Sequence, residues 1–409
     1  MNILYIAYSC SPFCGSEDKI GWNISVESAK MNNVFVITKE EHRESIEQYL
    51  QENPMENIRF YYVDIPDFFK RIFRGSFYSG RLNIWHRNAL KLARKICEQE
   101  KIQIIHQVTP IEFRSIGDYG KIPNTRYVCG PLGAGQAIPG CLMKYMGPKV
   151  LVEYIRLLAN YCSLCILKLS GKIQRCDYLL FVNQETVDFL RPIIDGIPYE
   201  LCFDNGIQEC ELEKSQDDHR GGENIARKCV FLVAGRLINI KGHDFLFDAL
   251  QRIPPELEYE CRVLGDGPNF GRYAERITSS GMDHRVILKG AIPFEQMSEE
   301  YQQADVLVFP SLRESSGAVL LEAMAKGLPV VTINKFGGAT ILDQNTAWLY
   351  EGRTKEEYIE NLKDALVECI ENPGEVECRG KNARERAEQF TWEERVKQYQ
   401  KIYLGVVDE

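Results

Sequence analysis

Glu314-Ser315-Ser316-Gly317-Ala318-Val319-Leu320-Leu321-Glu322-Ala323-Met324-Ala325-Lys326-Gly327-Leu328-Pro329-Val330-Val331 decides the fold. The apolar run Val306–Phe309 precedes it, and Val330–Ile333 closes it. Between the two, Gly317–Lys326 reads as a helix. A short apolar strand, a loop, a helix and a second short apolar strand make the repeating unit of a parallel sheet buried on both faces. Ser315 or Ser316 is placed to cap the helix, and Gly317 lets a ligand approach the backbone. The free N–H groups at a helix start carry partial positive charge, which suits a phosphate or a sugar hydroxyl. Glu314 lies in the loop before the helix and Glu322 lies well inside it, so the two carboxylates can grip opposite ends of one ligand. A carboxylate accepting two adjacent hydroxyls suits a ribose or hexose diol. The alternative is that both acids only complement the helix start. Glu322, flanked by Leu320, Leu321, Ala323 and Met324, fits that solvated role poorly.

The same rhythm extends outward. Cys229–Ala234, Tyr259–Leu264 and Val286–Leu288 read as further strands. His243–Arg252, Phe270–Ser280 and Phe294–Gln303 read as the helices between them. An earlier series has Ile3–Tyr8, Val34–Thr38, Phe60–Val63, Ile104–Gln107, Tyr127–Cys129 and Leu179–Val182 as strands. Its helices are Ile20–Lys30, Ser45–Gln51, Leu82–Glu98 and Val150–Leu169. Between the two series, Glu209–Arg227 has the charge and glycine content of a linker. Two doubly wound α/β domains are expected, meeting near residues 205–228. In such sheets, ligands bind in the loops beyond the carboxyl ends of the strands.

One such loop is Gly235-Arg236-Leu237, followed by Lys241-Gly242, directly after the strand Cys229–Ala234. Arg236 offers a planar fork of donors and Lys241 a point charge, a fitting pair for a diphosphate. The plainer reading is an Arg and a Lys on a surface turn.

Bulk properties narrow the classes. The 409 residues suffice for two or three domains with large cores. The longest charge-free apolar stretch, Leu157–Leu167, falls short of the roughly 20 residues that cross a bilayer. The N-terminal Met1–Ile6 reads as a strand and not as a signal peptide. Fourteen scattered cysteines then fit reduced thiols in the cytosol. Cys162-Ser163-Leu164-Cys165 has redox or half-zinc spacing, but its apolar helical setting favours buried small residues. Residues 1–200 carry 24 basic and 21 acidic side chains, and residues 201–409 carry 25 and 37. Residues 66–95 hold eight basic residues against one acid, Asp67. Aromatics interleaved with those cations, as in Phe68-Phe69-Lys70-Arg71-Ile72-Phe73-Arg74, suit an anionic membrane surface through residues 68–95. An ordinary solvated helix face is the alternative. The overall acidity, net −9, and the loop motifs exclude nucleic acid as a partner.

Taken together, Gly235-Arg236-Leu237, Lys241-Gly242, Gly265-Asp266-Gly267-Pro268 and the Glu314…Glu322 pair resemble the retaining glycosyltransferases of family 4, which have the GT-B fold. Tyr8–Pro12, Gly15-Ser16-Glu17, Gly21-Trp22, Ile105–Thr109 and Gly130–Gly133 are similar to the first domain of that family. Phe390-Thr391-Trp392-Glu393…Tyr403 is similar to its terminal helix. The resemblance implies two Rossmann-like domains facing across a cleft. Residues 1–205 would form the acceptor side and 206–390 the nucleotide-sugar side, with 391–409 a helix crossing back to the first domain. It implies that Arg236 and Lys241 neutralise the donor diphosphate and Glu322 binds the ribose. Glu314 and the backbone of Gly317, Ala318 and Val319 would contact the transferred sugar and its phosphate. Ile292 would lie near the base, Gly15 would let the first loop approach the donor, and His106 would be the histidine near the sugar. Glu314-Ser315-Ser316-Gly317 departs from the family's commoner Glu-Pro-Phe-Gly, which changes the pocket wall.

The expected activity is retaining transfer of a hexose from a nucleotide-diphosphate sugar, UDP-linked, to a hydroxyl of a lipid-linked or polysaccharide glycan. The sequence has no Asp-x-Asp, so metal-independent transfer with no cofactor is expected. The expected location is the cytoplasm, peripheral on the inner face of the membrane. Two relatives of this reading compete with it: a nucleotide-sugar epimerase of the same fold and a non-catalytic glycosyltransferase-like subunit. A dinucleotide oxidoreductase is disfavoured, because Gly133-x-Gly135 and Gly265-x-Gly267 are followed by Ile138 and Phe270 where a third glycine belongs.

Overall fold

The protein is described from a computed structural model covering residues 1–13, 15, 17–72, 78–212 and 228–408. The chain divides into two compact units. One comprises Met1–Gln136, Arg156–Gly206 and Trp392–Glu409, and the other Ala137–Ile155 and Ile207–Thr391.

The first unit is built on β1 (Asn2–Ala7), β2 (Asn33–Lys39), β3 (Ile58–Val63), β4 (Ile104–Thr109), β5 (Arg126–Leu132), β6 (Tyr178–Phe181) and β7 (Tyr199–Leu201). All pair in parallel in the order β3-β2-β1-β4-β5-β6-β7. The period of two along a strand splits its side chains between two cores. Leu4, Ile6 and Tyr8 enter one, with Trp85 and Ala89 of the helix Tyr78–Glu100. Ile3, Tyr5 and Ala7 enter the other, with Trp392, Tyr399 and Tyr403 of the terminal helix Trp392–Asp408.

The second unit holds β8 (Cys229–Ala234), β9 (Tyr259–Leu264), β10 (Val286–Gly290), β11 (Val306–Phe309), β12 (Val330–Ile333) and β13 (Ala347–Tyr350). They are parallel in the order β10-β9-β8-β11-β12-β13. The order reverses between β8 and β11, so the loops after those two strands flank a topological switch point.

Four expectations are corrected. Residues 137–155 belong to the second unit, not the first, because Ile138, Leu142, Met143 and Met146 enter its core beside Phe245. Cys162 and Cys165 are exposed and free, not buried. The helix Val150–Ser170 that carries them lies in a segment long and apolar enough to cross a membrane by length and composition, which the charge-free count missed. The linker composition begins with a short helix, Glu209–Leu212, and residues 213–227 lie outside the described residues.

Candidate functional site

The loop after β8 turns at Gly235 and ends in a helical turn, Asn239–Lys241. Gly265 is held at φ +128°, and a Cβ there would stand 2.0 Å from the Gly235 carbonyl oxygen, so only glycine lets the loops after β8 and β9 touch. Leu237 N–H donates to the Asp266 carbonyl at 2.9 Å, and Gly265 N–H to the Gly290 carbonyl at 2.8 Å. Ile292, partly buried, follows two residues beyond Gly290.

The loop after β11 meets the same turn from the other side. Leu312 N–H donates to the Ile240 carbonyl at 2.9 Å. The Lys241 ammonium donates a charge-assisted hydrogen bond to Oε2 of Glu314. It also stands 5.4 Å from the centroid of the Phe309 ring. Lys241 and Glu314 are each about one quarter exposed, so the pair is open to a ligand yet partly shielded. Arg236 is exposed and makes no hydrogen bond or ion pair among the described residues. A free guanidinium and a half-neutralised ammonium thus stand in one loop at the carboxyl end of β8.

Gly317 itself is the N-cap of the helix Ala318–Ala325, at φ +86°, with no side-chain cap. The expected serine cap is therefore corrected: a left-handed glycine turns the chain, and Ser316 is buried. The amides of Ala318 and Val319 open this helix, and both residues are partly buried. Further along it, Oε2 of Glu322 accepts from the Tyr301 hydroxyl at 2.8 Å. Burial first, and the Glu322 charge second, push the Tyr301 hydroxyl well above its usual range, so it stays protonated and donates.

In the first unit, Gly15 is exposed in open space before the helix Glu17–Ala29. His106 is corrected as a sugar-side residue: the ring is 0% exposed. Its Nε2 donates to the Gly130 carbonyl at 2.7 Å, which leaves Nδ1 to accept from the Tyr403 hydroxyl at 2.6 Å. Burial pulls its pKa down to about 3, so it is a neutral core histidine seating the terminal helix.

Sequence reasoning missed Tyr301, Phe309 as the floor under Lys241, and Glu17. Glu17 is partly buried and accepts from the Ile111 amide; burial, then the charges of Glu112, Asp204 and Asp18, raise its carboxyl to about 7. Tyr301 and Phe309 have no local signal, because their partners are distant in the chain; Glu17 stands in the quoted Gly15-Ser16-Glu17, but its burial and its bond to Ile111 are set by tertiary contact.

Residues 215–386, less than half of the chain, match the family model described as "Glycosyl transferases group 1". Among curated proteins, the chain is 31% identical over 183 residues to a D-inositol 3-phosphate glycosyltransferase of Corynebacterium diphtheriae, covering 42% of each. It is 27% identical over 178 residues to an uncharacterised glycosyltransferase of Methanocaldococcus jannaschii, covering 43% of this chain and 48% of that one. The chain spans about half or less of the length of these relatives. Among solved structures, the lipopolysaccharide outer core galactosyltransferase WaaB superposes with a TM-score of 0.67 over 99% of both chains at 17% identity. Anabaena HepE in complex with UDP superposes at 0.59, over 99% and 100%, at 15% identity. The two parallel sheets have the GT-B fold.

Proposed function

We propose that this chain is a retaining, metal-independent glycosyltransferase that moves a hexose from a UDP-linked sugar to a hydroxyl of a lipid-linked or polysaccharide glycan. The observation that carries the reading is the cluster of Arg236, Lys241 and Glu314 at the carboxyl ends of β8 and β11. The choice of UDP follows Anabaena HepE, solved with UDP and with UDP-glucose.

On this reading the donor diphosphate takes Lys241 from Glu314 and gains Arg236 as a second partner. The freed Glu314 carboxylate accepts from sugar hydroxyls, and Glu322, steadied by Tyr301, accepts from the ribose. The bond between the anomeric carbon and the diphosphate oxygen breaks. A bond to the acceptor oxygen forms on the same face, and the acceptor proton passes to the departing diphosphate. Positive charge fixed in place before the reaction stabilises the growing diphosphate charge more than the ground state. Protein cations supply that charge, so no metal is called for. We place the enzyme in the cytoplasm, on the inner face of the membrane where a lipid-linked acceptor is met.

The test is release of nucleoside diphosphate from a panel of nucleotide sugars, with and without glycan acceptors. Lys241→Ala and Arg236→Ala should each lose at least about 2 kcal/mol of barrier stabilisation, roughly 30-fold in rate. Turnover near that of the parent in either variant refutes the assignment. Donor conversion to an isomeric nucleotide sugar without acceptor would favour an epimerase.

A further inference from the structure

The helix Val150–Ser170 is turned inside out relative to an ordinary surface helix. Leu151, Ile155, Leu158, Ile166 and Leu169 are 59% to 89% exposed. With exposed Cys162 between them they succeed one another at steps of three and four residues, which places them on one stripe. Three polar residues of its first half, Glu153, Arg156 and Asn160, face the other way. Glu153 is 3% exposed and paired with Arg313 at 3.4 Å. Arg156 donates to the carbonyls of Ala134 and Gln136, at 3.3 and 2.8 Å, and buried Asn160 donates to Ala134 at 2.8 Å. Tyr154 and Tyr161, both more than half exposed, border the stripe with aromatic bodies and polar tips. A monomeric soluble protein rarely leaves so much contiguous apolar surface to water.

Charge indicates what covers it. Glu153 is the helix's only acid and it is turned inward, so the outer face carries no negative charge. Exposed cations stand at both ends, Lys144 and Lys149 before the stripe and Lys168 within its last turn. In the first unit, Arg87, Lys91 and Arg94 add exposed cations on the helix Tyr78–Glu100. A second copy of the chain would bring these lysines against their own kind, whereas anionic headgroups complement them. The bonds of Glu153, Arg156 and Asn160 to the protein hold the helix flat against it, unlike a spanning segment.

We propose that this helix lies in the plane of an anionic phospholipid bilayer, with Leu151, Leu158 and Leu169 among the acyl chains and Lys149 and Lys168 among the headgroups. The proposal rests on this helix and the exposed cations named above, and flotation tests it apart from the sugar-transfer reading.

The test is flotation of the full chain with vesicles of phosphatidylcholine containing about one third phosphatidylglycerol, beside pure phosphatidylcholine vesicles. The parent protein should float with the anionic vesicles. Leu158→Glu with Ile166→Glu should reduce the floated fraction about tenfold with an unchanged melting curve, since both positions are exposed. If the glutamates impair folding, Leu158→Ser with Ile166→Ser removes the same apolar surface without adding charge. Flotation of the variant at the parent level overturns the proposal, as does equal flotation with neutral vesicles. A dimer in sedimentation velocity that these substitutions dissociate, with no flotation of the parent, also overturns it and assigns the stripe to a second copy.

Discussion

Mild acid should destabilise this protein through three histidines that the fold holds neutral. Burial is the leading cause in each case, pulling His86 and His106 from 6.5 to about 3 and His243 to about 4. The unfolded chain protonates all three below about 6.5 while the native state does not, so it binds more protons and gains as pH falls. Between pH 7 and 5.5 each ring then removes roughly 1 kcal/mol of stability, and the three together remove roughly 3–4 kcal/mol. Glu17 opposes them. Its carboxyl is raised from 4.5 to about 7, so over the same interval the native state takes up a proton that the unfolded chain does not. That restores roughly 1–2 kcal/mol, leaving a net loss of about 2 kcal/mol. Urea titrations followed by far-ultraviolet circular dichroism at the two pH values measure it. His243 isolates one share, because neither of its ring nitrogens has a hydrogen-bond partner among the described residues. His243→Leu should therefore fold at pH 7 and lower the pH-dependent loss by roughly 1 kcal/mol. Equal stability at both pH values in the parent, or an unchanged loss in the variant, refutes the reasoning.

Three further substitutions probe the framework. Gly265→Ala forces a Cβ to 2.0 Å from the Gly235 oxygen at φ +128°, and should cost about 3 kcal/mol in the same urea titration. Tyr403→Phe leaves Nδ1 of His106 without its donor inside the core; a loss of about 1–3 kcal/mol is expected, with faster proteolysis of the terminal helix. Tyr301→Phe removes the donor that steadies Glu322, and calorimetry should show UDP binding weakened about tenfold, or about 1.4 kcal/mol.

Much of the fold was legible because its strands are short, rich in apolar residues and bounded by loop residues. β8, β9, β11 and β12 start and end where the sequence reading places them, β9 through its alternation of Tyr259, Cys261 and Val263 with Glu260 and Arg262. β7, Tyr199–Leu201, escaped because three residues with a central Glu200 give no apolar run. β13 was overlooked although Ala347–Tyr350 is a short apolar run bounded by polar residues, the same signal that marks β11. In the site, the residue types of Arg236, Lys241, Glu314 and Glu322 were readable, but the pairing of Lys241 with Glu314 was not, since tertiary contact sets it. His106 shows the limit most clearly. A histidine within a buried strand reads alike whether a ligand or a tyrosine 297 positions away faces it. Ser315 and Ser316 misled for a local reason, because the capping preference of serine yields where a following glycine can take up a left-handed turn.

The division of the first unit into three stretches of chain bears on how it is made. Trp392, Tyr399 and Tyr403 complete the core that contains Ile3, Tyr5 and Val36. During translation that side of the first sheet, covered in part by Ile20, Trp22, Ile24 and Ile46, therefore stays incomplete while the whole of Ile207–Thr391 is synthesised. Most of the second unit emerges as one segment, Ile207–Thr391, and can fold before the helix Trp392–Asp408 is made to complete the first.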